Sequence, residues 1–327
     1  MTSATPQPMP AVSVVLPVLN EERHLRSAVR SVLDQDYPGE LEVVLALGPS
    51  RDRSDAVAKE LADDPRVSLV ANPTGRTPNG LNLAVAASRF PIVARVDGHS
   101  VIPADYLRNA VDTLERTGAD NVGGLMSARG ETGLERAIAA AMTSKLGVGN
   151  APFHVGGTEG PADTVYLGVF RRTALERVGG YDETFARAQD WEMNYRIRST
   201  GGLVWFSPTL SVSYRPRHSL AALAQQYFHY GRWRREVIRT HPGSVNLRYL
   251  APPAALVGVA AGLILSTFLS LWALTVPGGY LLLVLVGSLV VGRGLPLRSR
   301  LALPGVIATM HMSWGAGFLS SWRSVAK

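Results

Sequence analysis

Short apolar segments alternate with longer amphipathic segments through the first hundred residues. Continuous Val, Ile and Leu segments predict strands buried on both faces, and apolar residues at helical spacing predict helices. Strands and helices in this rhythm are typical of βαβ units with a parallel sheet. The predicted strands are 12–19, 41–47, 66–72 and 90–97, and the helices between them are 20–35, 54–62 and 77–88, with Asn20 as cap of the first.

The alternation becomes less regular after residue 97. The patterns there predict helices at 103–118, 133–147 and 189–201, a strand at 164–172, and two short strands in "LVWFSP" and "LSVSYRP". The Pro-rich residues 1–10 are expected to be disordered. We therefore expect an α/β domain at 11–215, basic amphipathic interfacial helices at 216–248, and a membrane region at 249–327.

The membrane prediction depends on two long segments without charge. No Asp, Glu, Lys or Arg occurs between Arg248 and Arg293, or from Leu301 to Trp322. A spanning helix needs about 20 apolar residues, so about three passes are expected, near 250–274, 277–292 and 301–321. Pro304 and several glycines make a re-entrant third segment an alternative.

Residues 215–241 are basic and aromatic, and the whole chain carries a net charge of +7. A basic, aromatic segment suits either nucleic acid or anionic lipid headgroups. Its position directly before the apolar segments favours a helix lying on a membrane, with no nucleic-acid partner. The first residues lack the pattern of a signal peptide, so we expect a multi-pass protein of the inner (plasma) membrane with its soluble domain in the cytoplasm.

The chemistry-bearing residues follow the predicted strands, at the edge where α/β sheets bind ligands. In "RVDGHS", residues 95–100, Asp97 and His99 are spaced i, i+2 and would point the same way along a strand. An ordinary turn with a solvated His99 is the alternative. The segment "NPTGRTPNGLN", 72–82, offers Arg76 and amide side chains to a phosphate or sugar.

Several classes of site are absent from the sequence. The chain has no cysteine, which excludes disulfides, thiolate nucleophiles and Cys-ligated metals. The first predicted strand–helix turn, "PVLNEE", has no G-x-G-x-x-G, and the sequence contains no P-loop. A nucleotide would have to be held in another way.

An ordered set of segments resembles the motifs of glycosyltransferase family 2. The segments are "VSVVLPVLNEE" with "SVLDQDYP", "NGLNLAVAAS", "VARVDGHS", "GGYDETFARAQDWEMNYRIRSTG" and "QQYFHYGRW". They cover about residues 11–235 and are most similar to the membrane-bound succinoglycan or exopolysaccharide-type branch. The resemblance implies a GT-A fold: a Rossmann-like, mostly parallel nucleotide-binding sheet, here followed by a helical membrane region.

The resemblance also implies roles for residues that match the family motifs. Asp97 and His99 match the metal-binding D-x-D, and Asp190 matches the general base. Independently of the resemblance, the residue types make Trp191, Asp163 and Thr164 candidate contacts to the acceptor; a core position for Trp191 and an ordinary turn at Asp163 and Thr164 are the alternatives. By resemblance, the expected nucleotide-sugar contacts are Pro17, Leu19, Glu21, Asp52, Asp97, Gln226, Arg232 and Trp233. The composition of the segment 72–82 adds Arg76, Asn79 and Asn82.

Three positions depart from the family pattern. Leu47 stands where the family has an Asp that contacts uracil, His99 replaces the second Asp of D-x-D, and Gln189 stands where Glu is frequent. The cofactor expected is Mn²⁺ or Mg²⁺: either His99 binds the metal, which favours Mn²⁺, or Asp97 alone binds Mg²⁺ through water while His99 contacts phosphate. Glu192 is an alternative base.

The function expected is that of an inverting, membrane-bound glycosyltransferase. It would move a sugar from a nucleotide-diphosphate sugar to a polyprenyl-linked acceptor in cell-surface polysaccharide or glycolipid synthesis. Two alternatives remain open, namely a polyprenyl-phosphate sugar synthase and a non-catalytic membrane scaffold that retains the fold.

Overall fold

A computed structural model describes residues 9–325, so residues 1–8 of the predicted disordered segment lie outside the described part. The chain divides into two compact units. The first contains residues up to 126 and residues 156–213, and the second contains residues 127–155 and those from 214 onward.

One mixed sheet forms the centre of the first unit. Its order is β3-β2-β1-β4-β7-β5-β8-β6; β1 to β4 are parallel, and β7 pairs antiparallel with both β4 and β5. The strands are β1 Val12–Val18, β2 Leu41–Leu47, β3 Val67–Ala71, β4 Ile92–Arg95, β5 Asn121–Ala128, β6 Gly160–Pro161, β7 Tyr166–Arg171 and β8 Val204–Tyr214.

Thirteen α-helices lie in the described residues. They are α1 Leu25–Leu33, α2 Ser54–Leu61, α3 Thr77–Ala87, α4 Tyr106–Thr117, α5 Gly133–Met142, α6 Lys145–Val148, α7 Pro152–Val155, α8 Arg172–Val178, α9 Gln189–Ser199, α10 Leu220–Thr240, α11 Leu247–Phe268, α12 Thr275–Val291 and α13 Leu297–Ser320. Short 3₁₀ helices cover Pro242–Ser244 and Leu271–Leu274.

Helices cover both faces of the sheet, as the continuous apolar strands predict. Leu16 on β1 faces a core shared with α1, α2 and α4, whereas Val15 faces a second core shared with α3, α8 and α9. Both side chains are essentially inaccessible to water. The prediction of an α/β, mostly parallel sheet followed by helices is confirmed.

Some predicted details differ from the structure. Asn20 does not cap α1, which begins only at Leu25, because Asn20 adopts φ 56° and its side chain accepts a hydrogen bond from the Arg51 backbone N–H at 2.8 Å. The two predicted short strands are one strand, β8. Strand β5 was not predicted.

Close helix packing forms the second unit. Helix α13 packs against α10, α11 and α5. Glycines permit the approach of α10 and α13, because a methyl group added at Gly231 would lie 2.0 Å from the Trp314 carbonyl oxygen and one at Gly317 would lie 1.9 Å from that of Phe228.

Two segments of this unit, Leu247–Phe268 and Leu271–Val291, are long and apolar enough to cross a membrane. Their surfaces are open, with Phe268 81% and Leu282 62% exposed. The third predicted pass forms α13, which is not among the spans and buries Leu303 and Ile307 inside the unit. The structure therefore gives two candidate spans where about three were predicted.

Candidate active site

The loops after β1 and β2 are joined at the carboxyl edge of the parallel strands. The Glu21 backbone N–H donates to Ser54 Oγ at 2.7 Å, and the Glu22 N–H donates to Asp52 Oδ2 at 3.1 Å. Asp52 also accepts from the backbone N–H and hydroxyl of Ser54, and these bonds lower the pKa of Asp52. The Asp52 carboxylate, a predicted nucleotide contact, thus holds the "LNEE" loop in place.

The structure changes the account of "RVDGHS". Strand β4 ends at Arg95, and a turn follows in which the Ser100 N–H donates to the Asp97 carbonyl oxygen at 2.9 Å. Strand alternation therefore does not extend to His99. The turn that was the alternative is present, and other side chains determine where Asp97 and His99 lie.

Arg95 binds the two carboxylates that the sequence assigns to metal binding and to the base. Its Nε and Nη2 donate to Asp97 Oδ1 at 3.0 and 2.9 Å, and its Nη1 donates to Asp190 Oδ1. Arg95 is only 6% exposed, whereas the side chains of Asp97 and Asp190 are 20% and 42% exposed. One guanidinium thereby brings together the end of β4 and the start of α9.

The pKa of Asp190 reflects this arrangement. Its side chain is 42% exposed, yet the protein around the carboxyl group displaces enough water to raise its pKa. The charge of Arg95 opposes the rise and that of Asp97 adds to it, so the net shift is upward. A carboxylate with a raised pKa is a stronger base than an ordinary Asp.

His99 is held by the loop that follows β1. Its Nδ1 lies 2.8 Å from Glu21 Oε1, so a neutral ring carries its proton on Nδ1 and its lone pair on Nε2. A carboxylate on the other ring nitrogen is the usual support for a metal-binding histidine. Glu21 thus contacts His99, and its predicted contact to the nucleobase stays a prediction.

The donor set fits a divalent cation whose coordination is completed by a diphosphate. No cluster of three His, Asp or Glu side chains that could hold a metal occurs within residues 9–325. Asp97 and His99 would supply one oxygen and one nitrogen, and phosphate oxygens and water would complete the shell, as is common for nucleotide-bound metals. The imidazole favours Mn²⁺ over Mg²⁺.

The loop before Asp190 is fixed to α3. The Asn82 side chain forms hydrogen bonds with both backbone groups of Tyr181, at 2.9 Å each, and Asn79 and Asn82 both donate to the Glu183 carboxylate. The amides that were predicted to contact a nucleotide sugar are therefore used within the protein, where they position the segment that leads to Asp190.

A cleft of about 440 Å³ opens where β2 and β3 end. Leu47 lies in its lining, which is mainly apolar, together with Pro49 and Pro73. Leu19 is 41% exposed at the end of β1, and Pro17 is half-buried. Arg76 precedes α3 as its N-cap residue. Nucleotide contact by Pro17, Leu19 and Arg76 stays a prediction.

Comparison with known proteins agrees with the fold and with the motif order. Residues 13–179, about half of the chain, match the family described as Glycosyl transferase family 2. The chain is 32% identical to the succinoglycan biosynthesis protein ExoA of Rhizobium meliloti over 95% of its own length and 94% of that protein. The chain belongs to glycosyltransferase family 2.

One further relative and two solved structures are similar to this glycosyltransferase at lower identity. The Methanococcus voltae dolichyl N-acetyl-alpha-D-glucosaminyl phosphate 3-beta-D-2,3-diacetamido-2,3-dideoxy-beta-D-glucuronosyltransferase is 24% identical, covering 74% of this chain and 77% of that one. The mannosyltransferase PcManGT of Pyrobaculum calidifontis, solved with GDP-Man and Mn²⁺, superposes with TM-score 0.61 at 21% identity, over 98% and 89% of the two chains. S. aureus TarS with UDP-GlcNAc superposes with TM-score 0.53 at 14% identity, over 95% and 91%.

Two of the three predicted acceptor contacts are buried in the structure. Trp191 is buried and stacks on Tyr195 with ring centroids 5.7 Å apart, so it has no open face for a sugar. Thr164 is buried and accepts a hydrogen bond from Asn194 at 2.8 Å. Asp163 is exposed, and its role stays a prediction.

Glu192, the alternative base, is also engaged inside the protein. It is 1% exposed, and both carboxylate oxygens accept from Arg196 at 2.6 Å. A buried carboxylate held by both oxygens cannot readily meet an acceptor hydroxyl. Asp190 is the better candidate base.

The remaining predicted contacts lie in the second unit, on α10. Gln226 is buried, and its amide donates to the hydroxyls of Tyr214 and Tyr230 at 3.0 and 2.8 Å. Trp233 is 9% exposed, and Arg232 lies 6.0 Å from the Phe228 ring centroid. Nucleotide contact by Gln226, Arg232 and Trp233 stays a prediction.

Sequence reasoning missed Arg95 and Glu183. The signal for Arg95 was visible, since a charged residue within a strand expected to be buried requires charged partners. Glu183 gave no comparable signal, because an acidic residue in a loop is ordinarily solvated.

Proposed function

We propose that the chain is an inverting, metal-dependent glycosyltransferase of the inner membrane. It moves a sugar from a nucleotide-diphosphate sugar to a polyprenyl-linked acceptor in cell-surface polysaccharide or glycolipid synthesis. Support comes from family membership and from two relatives, one named for succinoglycan biosynthesis and one for transfer to a dolichyl-phosphate-linked sugar.

The proposal rests on one observation: Arg95 donates hydrogen bonds to the carboxylates of both Asp97 and Asp190. The acceptor hydroxyl must lose a proton as its oxygen attacks the anomeric carbon. Arg95 occupies Asp190 Oδ1, so Oδ2 is the atom that takes this proton. A single displacement inverts the anomeric centre and requires no nucleophile from the enzyme, which suits a site with one accessible base.

Asp97 and His99 would hold the cation. When bound, such a cation neutralises the charge that develops on the diphosphate leaving group. Arg95 orients Asp97, Glu21 orients His99, and Ser54 fixes Glu21 through its backbone N–H. The chain thus supports each candidate ligand with a neighbouring side chain, as metal sites require.

The exposed apolar helices support a membrane location. Leaving side chains such as Phe268 and Leu282 in water would be unfavourable over surfaces of this size, and a lipid bilayer removes that cost. The second unit carries fifteen Lys and Arg residues against three Glu, which favours contact with anionic lipid. We place the catalytic unit on the cytoplasmic side.

The test is turnover of a panel of nucleotide sugars by the full chain with a membrane lipid extract. Reactions contain Mn²⁺, Mg²⁺ or a chelator, and they compare wild type with Asp97→Ala. We expect metal-dependent release of nucleoside diphosphate by wild type, with its metal dependence altered or lost in Asp97→Ala. Unchanged metal dependence in this variant would remove the proposed metal site.

The same assay separates the alternatives. A product in which the sugar is linked directly to polyprenyl phosphate would indicate a polyprenyl-phosphate sugar synthase. Absence of turnover with every donor and metal would favour the non-catalytic scaffold.

A further inference from the structure

A polar network of three side chains, Asn121, Asn194 and Thr164, crosses the core beside helix α9. The Asn121 Nδ2 donates to Asn194 Oδ1 at 2.6 Å, and the Asn194 Nδ2 donates to Thr164 Oγ1 at 2.8 Å. The exposed fractions of Asn121, Asn194 and Thr164 are 0%, 1% and 7%. Asn121 begins β5, Asn194 lies in α9, and Thr164 precedes β7. The network therefore joins α9 to a strand and to the segment that leads into another strand, all within the first unit.

The polar network is a poor source of stability. Asn121 Oδ1 is buried and accepts no hydrogen bond from the residues that the structure describes. A methyl group added at Gly168 would lie 2.6 Å from this oxygen, so the glycine leaves the room that the amide needs. A buried acceptor without a donor carries a desolvation cost that apolar side chains of similar shape would avoid. A gain in placement, rather than in stability, accounts better for a partly satisfied network in this core.

The start of helix α9 needs support from outside the helix. The residue before it, Ala188, adopts φ 60°, and no side chain caps the helix. A left-handed conformation is unfavourable for alanine, and an uncapped first turn leaves backbone N–H groups without a side-chain acceptor. Arg95 binds the Asp190 carboxylate, but a bond at the end of a side chain does not fix the rotation of the helix about its axis. Another contact must do so.

Asn194 lies about one helical turn after Asp190, on the same side of α9, because residues four apart are neighbours on a helix surface. Met193 and Ile197 also bury their side chains in the core, but apolar contacts have no preferred direction. The two hydrogen bonds of the Asn194 amide are directional, since their strength depends on the donor angle. They fix both the height and the rotation of α9 at the turn that follows Asp190.

We propose that Asn194, held by Asn121 and Thr164, is a positioning residue for the base Asp190. Asn194 is buried, so it acts on the reaction only through the place at which α9 presents the Asp190 carboxylate. This inference rests on the proposed function for the role of Asp190, and it deepens that function by naming what sets the distance between the base and the acceptor hydroxyl. Thr164 then has a role inside the protein in place of the predicted acceptor contact.

The first test compares the full chain with a triple variant that carries Asn121→Leu, Asn194→Leu and Thr164→Val. Its melting temperature should equal or exceed that of wild type, because all the polar groups of the network are removed together. Its kcat should nevertheless fall by about tenfold to 100-fold, since misplacing a catalytic group by about 1 Å costs about 10²-fold. The KM values for donor and acceptor should not change. Loss of kcat without loss of stability separates positioning from a merely structural role.

Thr113→Val is the matched control, because Thr113 is 5% exposed and its hydroxyl donates to the Asn109 carbonyl oxygen within α4, away from the site. Its kcat should equal that of wild type. Asn194→Leu alone should show the same loss of kcat with a lower melting temperature, and it replaces the triple variant if that protein does not fold. A folded variant with wild-type kcat would overturn the inference. A raised acceptor KM with unchanged kcat would do the same, because it would make Thr164 an acceptor contact.

Amide hydrogen exchange, followed by mass spectrometry, tests the same inference without any turnover. The backbone amides of residues 192–197 should exchange faster in the triple variant by on the order of tenfold, because α9 opens more easily once the network is lost. The same amides should exchange at the wild-type rate in Thr113→Val. Unchanged exchange in the triple variant would overturn the role of Asn194. Absence of turnover by wild type would contradict the proposed function, whereas the exchange result would still decide whether the network holds α9.

Discussion

Replacing Arg95 with Met should disable the site while leaving both acidic residues in the chain. Arg95 makes three hydrogen bonds to the carboxylates of Asp97 and Asp190. Removing one partner of a fully buried ion pair costs about 3–5 kcal/mol. The Asp190 side chain is 42% exposed, so water recovers part of that cost, and we expect a loss at the low end, about 3 kcal/mol.

The kcat of Arg95→Met should also fall, beyond any loss of folded protein that its lower stability causes. General base catalysis contributes about 10²–10⁴-fold, and an unanchored Asp190 would lose much of it, so kcat should fall by about 10²-fold. The groups that face Asp190 are Arg95, Asp97 and Tyr181. Loss of the only cation among them disfavours the carboxylate anion, so the acidic limb of the pH–rate profile should move to higher pH.

The assay compares four variants by thermal unfolding and by steady-state transfer. If Arg95 acts through the base, Asp190→Asn combined with Arg95→Met should be little slower than Asp190→Asn alone. Arg172→Met is the matched control, because Arg172 donates to carbonyl and hydroxyl oxygens of Phe90, Val85 and Ser88 instead of to carboxylates. It should lose stability and keep its kcat. An Arg95→Met enzyme with wild-type kcat and an unmoved acidic limb would refute this reasoning.

Three further predictions test the support of the metal ligand, the helix packing and the sheet. Glu21→Gln should weaken Mn²⁺ binding, measured by EPR titration, by about 10–100-fold through loss of the His99 contact, whereas Glu22→Gln should not; equal affinities would contradict the role of Glu21. Gly231→Ala should lower the melting temperature because its methyl group would meet the Trp314 carbonyl oxygen, whereas Gly278→Ala, with open space around it, should not; an unchanged Gly231→Ala protein would contradict the packing. Burial raises the pKa of Glu42, but bonds from Ser13 and Arg89 outweigh it and lower the pKa overall, so this carboxylate stabilises the fold above its unfolded pKa and the contribution is lost as pH falls through the folded pKa. Between the unfolded and the folded pKa of Glu42, the unfolding free energy of Glu42→Gln should therefore change less with pH than that of wild type. An identical pH dependence in the two proteins would contradict the stabilising role of this carboxylate.

Much of the first unit could be predicted because its pattern is local. Strands β1 to β4 are continuous apolar segments, and their predicted bounds agree with the structure to within two residues at each end. Strand β5 could not be found in this way, since Gly123 and Gly124 interrupt its apolar pattern. Gly124 is required by a distant contact, because a methyl group there would lie 1.5 Å from the Leu210 carbonyl oxygen.

Two features depend on long-range contacts and could not be predicted from the sequence: the role of Arg95 in the site and the packing of α13. Motif order identified Asp97 and Asp190, but their shared partner Arg95 became visible only when β4 and α9 were placed together. The apolar segment of α13 resembled a membrane pass, yet α10, α11 and α5 pack against it, and residues such as Leu303 and Ile307 are buried. Hydropathy records how apolar a segment is and carries no information on whether protein or lipid covers it.

The configuration of the new sugar linkage tests the central claim most directly. Transfer from the nucleotide sugar found to turn over is followed by NMR of the anomeric proton in donor and product. One displacement assisted by Asp190 predicts the opposite anomeric configuration in the product. A product that retains the donor configuration would require an enzyme nucleophile and would contradict the account.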